Sequence, residues 1–373
     1  MTIPLIEHFP REAEALLCCV SSGSLSTRRD RLRWLVEQGL DWELLLAMAA
    51  KHRVLPLLHR SLYAACPEAI PVITHRKLAE RLAKNSRINR ALTEELLRLR
   101  QLFDAALIPV LPYKGTVLAV SAHGDADLRQ IWDIDLLVGT EHLNETRALL
   151  LSQGYTVTKS FDRAQSFTHS VKNIEIDLHW ALTPFYFTME PDFSGFWTRR
   201  ETVLIEGVPV PTLSGEDMLL ILCLQVAKDC WERRQHLEYL SKVADIAALL
   251  NARNDLDWIV ITSQSRRKGL MRVLHFGLLL AAQLLEADLP ADVRAEAEAD
   301  ARAGALVHQV CRRLFGESDR TVAKPQPANI DIRFRLRQLR FYLGIRERPR
   351  DWLAHFIEIA RSCLPQLFGE RTL

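Results

Sequence analysis

The stretch that most limits what this chain can become is "IWDIDLLV", residues 131–138. A short apolar run bounded by polar segments reads as a β-strand. Side chains alternate along a strand, so Asp133 and Asp135 share one face while Ile134 and Leu136 share the other. The isoleucine side must lie in a core. The aspartate side sets like charges about 7 Å apart, which repel unless something positive sits against them. A divalent cation supplies that charge. Carboxylates on hard cations also suit phosphate substrates, because Mg²⁺ takes oxygen ligands and keeps coordination positions open.

A second acidic strand follows at "IEIDLHW", residues 174–180. There Glu175, Asp177 and His179 share one face and Ile174, Ile176 and Leu178 the other. Laid beside the first strand, it lets Asp177 complete a three-carboxylate cluster with Asp133 and Asp135. Such clusters hold two metals about 3.5–4 Å apart and serve in-line attack on phosphorus. One ion would lower the pKa of an acceptor hydroxyl, and the other would bind a triphosphate and support the leaving pyrophosphate. His179 either orients a carboxylate, contacts phosphate, or makes a structural hydrogen bond.

Upstream, "YKGT" (113–116) opens a helix. Gly115 lets a backbone approach closely, the helix start offers free N–H groups, and Lys114 and Thr116 add a cation and a hydroxyl. This is a phosphate cradle without the P-loop pattern. Each piece alone is ordinary: a D-x-D is usually a solvated strand face, and a Lys-Gly says little. Their order inside one block points to phosphoryl chemistry.

The surroundings bound the fold. Residues 1–107 read as helices, with a break expected near Pro56 and a long amphipathic helix over 75–107. Residues 108–213 mix short strands with helices closed at Gly124 and Gly154, and end in a hairpin turning at Glu206-Gly207. From Ser214, placed as a helix N-cap with Asp217 three residues on, residues 214–373 are helical again, one helix being expected over 291–313. The expectation is an α+β protein in three parts, a mixed sheet with flanking helices held between two helical regions.

With 48 Lys+Arg against 46 Asp+Glu, the net charge is +2 and gives no whole-molecule reason to bind nucleic acid or membrane. The N-terminus lacks a basic start and an apolar signal core, and the longest apolar stretch (277–285) is too short to span a bilayer, so a cytoplasmic protein is expected. Seven cysteines without a C-x-x-C pair read as reduced and buried. The segment 332–350 carries seven arginines, at 333, 335, 337, 340, 346, 348 and 350. It reads as a solvated helix face; the sharper alternative is a dock for an acidic acceptor such as RNA or an acidic peptide.

The motifs resemble the DNA polymerase β-like nucleotidyltransferase superfamily. More narrowly they resemble the bacterial uncharacterised nucleotidyltransferase family, through "PYKG" (112–115), "RQIWDIDLLV" (129–138) and "IDLHW" (176–180) over about residues 40–290. The resemblance implies a polymerase β-like core over 108–213. It implies Asp133, Asp135 and Asp177 as metal ligands and catalytic carboxylates, and Gly115 and Thr116 as the glycine and small residue of the helix start. Lys114 and Arg129 match positions used on phosphates. Departures are Trp132 ahead of the first aspartate, Leu-Pro-Tyr ahead of the lysine, and no histidine near Gln225 and Asp229, where the family often carries them.

The reaction expected is Mg²⁺- or Mn²⁺-dependent transfer of a nucleoside monophosphate from an NTP to a peptide, protein or small-molecule acceptor. Two alternatives stand beside it: a toxin-like enzyme that modifies tRNA or other RNA, and a non-catalytic protein that binds nucleotide or a partner in the same cleft.

Overall fold

The computed structural model describes residues 9–183, 192–232, 237, 239–315 and 332–349, giving only the backbone at 231–232 and 332–338. The sequence reads as a polar, proline-containing loop over 316–329 and a helix over 350–362; both lie outside these residues, as does the N-terminal stretch to residue 8.

Four short helices come first: α1 (Arg11–Val20), α2 (Leu25–Glu37), α3 (Trp42–Lys51) and α4 (Leu55–Ala65). The break between α3 and α4 falls at residues 52–54, where Arg53 takes a left-handed backbone (φ 58°), and not at the proline. Pro56 instead sits in the first turn of α4, where its missing N–H has no helical acceptor to lose. The long helix α5 (Val72–Ala105) follows as expected.

Then the chain forms a sheet. Strand β1 (Val110–Pro112) is its edge, pairing antiparallel with β2 (Asp133–Val138). After α6 (Gly115–Leu118) the helix widens over Ala119–His123 and is closed by Gly124 in the left-handed region. Helix α7 (Leu143–Ser152) leads to β3 (Thr156–Ser160), β4 (Ala164–His169) and β5 (Ile174–His179). The sheet order is β1-β2-β5-β4-β3, with β2 and β5 parallel and every other pair antiparallel.

Helix α8 (Phe193–Arg199) precedes the hairpin β6 (Glu201–Ile205) and β7 (Val208–Thr212), which turns at Glu206-Gly207 with both φ positive. A helical region follows with α9 (Gly215–Glu232), α10 (Leu240–Ala252), α11 (Trp258–Lys268), α12 (Met271–Leu285), α13 (Ala291–Ala299), α14 (Ala301–Cys311) and α15 (Ile332–Ile345). The single helix expected over 291–313 is two. Asp300 interrupts it because its carboxylate caps the N–H groups of Arg302 and Ala303, a local bond that competes with helix continuation.

Two apolar cores result. Ile134, Leu136, Ile176 and Leu178 pack with Leu92, Leu96 and Phe103 of α5 on the back of the sheet. The other core joins α1–α4 to α9–α14 and takes in Tyr113 and Leu137 from the sheet block. Leu137, on the front face of β2 with Asp133 and Asp135, is buried in this second core. No helix among the described residues is long and apolar enough to cross a membrane.

Candidate active site

Parallel pairing of β2 with β5 sets Asp135 directly opposite Asp177, and Asp133 opposite Glu175. Alternation then places Asp133, Asp135, Asp177 and His179 on the front face, with the isoleucines in the core behind. One carboxylate oxygen each of Asp135 and Asp177 and a ring nitrogen of His179 lie within 4.8 Å of one another. Asp133 stands two residues before Asp135 on the same face, outside that group of three atoms.

Few donors serve these acids. Asp135, 7% exposed, accepts from Lys114 Nζ at 3.3 Å and faces His179 Nε2 at 3.3 Å. Asp177 accepts from Ser166 Oγ at 2.6 Å, across from it on β4. The Asp133 carboxylate makes no hydrogen bond among the described residues. Burial acts to raise the Asp135 pKa, but Lys114 and His179 outweigh it and hold the carboxyl well below the usual range. Asp133 is pushed up to about 7 by burial and by the charge of Asp135. Burial works against the Lys114 ammonium, yet Asp135 and Tyr113 keep it more basic than an ordinary lysine.

Gly115 is needed where it is. Its φ is +57°, and a Cβ there would meet the Asp133 carbonyl oxygen and Ile131 Cγ2 at 3.4 Å. The glycine thus lets the start of α6 lie against β2 beside Lys114. Tyr113 is fully buried, edge-on to the His179 ring at 5.7 Å, with Lys114 Nζ 4.8 Å from its ring centre. It walls the site from below.

Thr116 and Arg129 each have a partner from a flanking helix. Thr116 is 3% exposed and shares a 3.2 Å hydroxyl bond with Thr93 of α5. Arg129 forms a two-pronged pair with Asp245 of α10, Nε at 3.1 Å and Nη2 at 3.0 Å from the carboxylate, and His123 Nε2 lies 3.0 Å from the same group. Burial alone would raise the Asp245 pKa, but Arg129 and His123 hold it low. From the other side, Asn85 and Asn89 of α5 both donate to the Arg129 carbonyl, at 3.2 and 2.9 Å. The turn leading into β2 is thereby clamped between α5 and α10.

Trp132 is 51% exposed, with the Arg53 guanidinium 6.0 Å from its ring centre and 3.8 Å from that of Tyr239. The C-terminal arginine segment is not simply a solvated face. Arg340 is exposed, but Arg346 is fully buried and Arg348 donates to the last carbonyls of α11, at Arg266 and Arg267. The helix uses those carbonyls as acceptors. The side chains of Arg333, Arg335, Arg337 and Arg350 lie outside the described residues. The described cysteines are all free, five of them buried.

Sequence patterns did not signal Ser166, Asp245 or the asparagine clamp. Ser166 would have needed the strand order, and Asp245 lies 116 residues from its partner. His179 carried a signal, two residues beyond Asp177 on the same face.

Residues 38–286, more than half of the chain, match the family model described as "Uncharacterised nucleotidyltransferase", and the chain belongs to that family. No curated protein matches it. Among solved structures it is similar to a lincosamide antibiotic adenylyltransferase with lincomycin bound, at 17% identity, covering 42% of this chain and 94% of that one, with a TM-score of 0.32. It is also similar to an antigenic nucleotidyltransferase-like protein from Paracoccidioides brasiliensis, at 18% identity, covering 55% and 97%, with a TM-score of 0.39. Likenesses this distant say nothing about substrate.

Proposed function

We propose that this member of the nucleotidyltransferase family moves a nucleoside monophosphate from an NTP to a hydroxyl-bearing acceptor, with a divalent cation on the front of β2 and β5. The observation that carries this reading is the convergence of Asp135, Asp177 and His179 within 4.8 Å, with Asp133 beside them and too few donors for all. The donor set fits Mg²⁺ or Mn²⁺: carboxylate oxygens dominate it, and an imidazole nitrogen is tolerated by Mn²⁺. A bound ion would neutralise the carboxylates and polarise phosphoryl oxygens.

The chain's own groups divide the rest. Lys114 keeps its proton and sets an ammonium beside Asp135, where it can meet a phosphate oxygen. Gly115 allows the triphosphate close to the backbone at the start of α6. Asp133, Asp135 and Asp177 act as the metal-holding carboxylates, with Ser166 and His179 fixing their rotamers. Arg129 and Thr116 act through position: the first locks the turn before Asp133 onto α10, and the second ties α6 to α5. The acceptor is a peptide, protein or small molecule held between the helical regions.

The experiment is incubation of the full chain with α-labelled NTPs and Mg²⁺ or Mn²⁺ in host lysate, beside Asp135→Asn. Label transferred to an acceptor by wild type alone supports the reading. Equal labelling by the variant refutes the site, and label on RNA selects the tRNA-modifying alternative.

A further inference from the structure

A cavity of about 900 Å³ lies away from the carboxylates. Its walls are the turn between α1 and α2, helix α4, the Ala119–His123 turn and α10, and none of Asp133, Asp135 or Asp177 lines it. That volume is at the upper end of what small-molecule sites enclose.

Its charge is unbalanced. Arg28, Arg29 and Arg60 all line it. Arg28 and Arg29 stand at the start of α2, which has no acidic residue in its first turn and no side-chain cap from Ser24. Cations at that end oppose the helix dipole, and an anion there is favoured. Arg28 is fixed by the carbonyls of Gly23 and Ser21. The side chains of Arg29 and Arg60 make no hydrogen bond or ion pair among the described residues. Burial and the charge of Arg28 both work against the Arg60 cation.

Two carboxylates share the wall: the charge of Glu286 favours the Arg28 cation, and Asp288 turns to Arg294, which does not line the cavity, so Arg29 and Arg60 keep their charge unmatched. Glu286 accepts from Ser21 Oγ at 3.2 Å, and Asp288 pairs with Arg294 at 3.7 Å. Between the arginines and α10 the wall is apolar, with Leu32, Leu57, Ala244 and Ala248.

We propose that this cavity binds a small organic phosphate. The phosphate would lie against Arg28, Arg29 and Arg60, whose planar forks match its oxygens, and the apolar body would lie between α4 and α10. Such a ligand is separate from the NTP. It would nevertheless touch the clamp ahead of Asp133, because His123 of the cavity wall shares Asp245 with Arg129.

Titration calorimetry on the full chain tests this with phenyl phosphate and inorganic phosphate as probes. Phenyl phosphate should bind more tightly than inorganic phosphate, and Arg29→Gln with Arg60→Gln should weaken it by about tenfold or more. Lys114→Ala, which alters only the carboxylate site, should bind it as wild type does. Thermal denaturation of the double variant checks its folding; both positions are exposed, and Arg29→Gln alone serves if the pair does not fold. No binding of either probe at millimolar concentration overturns the proposal, as does equal binding by the double variant. Equal affinity for the two probes removes the organic body, and loss of binding in Lys114→Ala moves the ligand to the carboxylate site.

Discussion

Glu95 on α5 and the aspartates of β2 and β5 occupy two sides of one sheet block and are treated in opposite ways. Glu95, 5% exposed, is one acid surrounded by donors: Tyr155 Oη and Lys172 Nζ at 2.7 Å each, and Arg98 through Nε at 3.0 Å and Nη2 at 2.6 Å. Burial would raise its pKa, but these bonds hold it at about 2. On the front, three acids share Lys114, His179 and Ser166, and Asp133 is pushed up to about 7. A buried acid that serves structure is over-supplied with donors. Acids kept for a ligand are left short, and the deficit is what a cation removes.

The largest effect should come from the under-supplied side. Asp135→Asn or Asp177→Asn should lower metal-dependent NTP turnover by about a thousandfold, the several kcal/mol that metal-centred charge stabilisation supplies. Circular dichroism melts should show little loss for Asp177→Asn, whose amide oxygen can still accept from Ser166, and a loss for Asp135→Asn, which leaves the buried Lys114 ammonium without its counter-charge. An Asp177→Asn variant that melts early would place Asp177 with Glu95 as a structural group.

Asp245→Ala should do the reverse. It leaves Arg129 buried without its partner, at a cost of about 3 kcal/mol in denaturant unfolding. Glu95→Gln should cost about 2 kcal/mol, because Lys172 and Arg98 are only partly buried and recover some solvation.

The pH slopes should also oppose each other. Glu95 has its pKa lowered from 4.5 to about 2, so its contribution is complete above pH 4.5 and disappears as pH falls toward 2. The deficit of Glu95→Gln should shrink over that window. Asp133 has its pKa raised from 3.8 to about 7, so metal-free protein should lose stability as pH rises through that range. Asp133→Asn should therefore match wild type below pH 3.8 and exceed it above pH 7. Melting curves across pH, taken with chelator, check both slopes.

Much of this was legible because strand alternation is a local rule. It put Asp133 with Asp135, and Asp177 with His179, before any pairing was known. The close approach at Gly115 was legible from the residue type; its left-handed backbone, which is what favours glycine there, was not. What stayed hidden depends on distant segments meeting. The pairing of Arg129 with Asp245 of α10, and of Thr116 with Thr93 of α5, depends on such meetings and has no local signal. Asp300 ended a helix through a side-chain bond that competes with the helical one, which periodicity cannot register. The break expected near Pro56 falls at residues 52–54, on Arg53 in a left-handed turn, and the proline opens α4.

Direct binding of Mn²⁺, followed by electron paramagnetic resonance of the free ion at neutral pH, tests the under-supplied acids without any knowledge of the acceptor. Wild type should take up Mn²⁺, and Mg²⁺ should compete. Asp135→Asn with Asp177→Asn should lose that uptake while Glu95→Gln keeps it. Uptake unchanged in the double aspartate variant, or no uptake by wild type with NTP present, would contradict a metal site on β2 and β5.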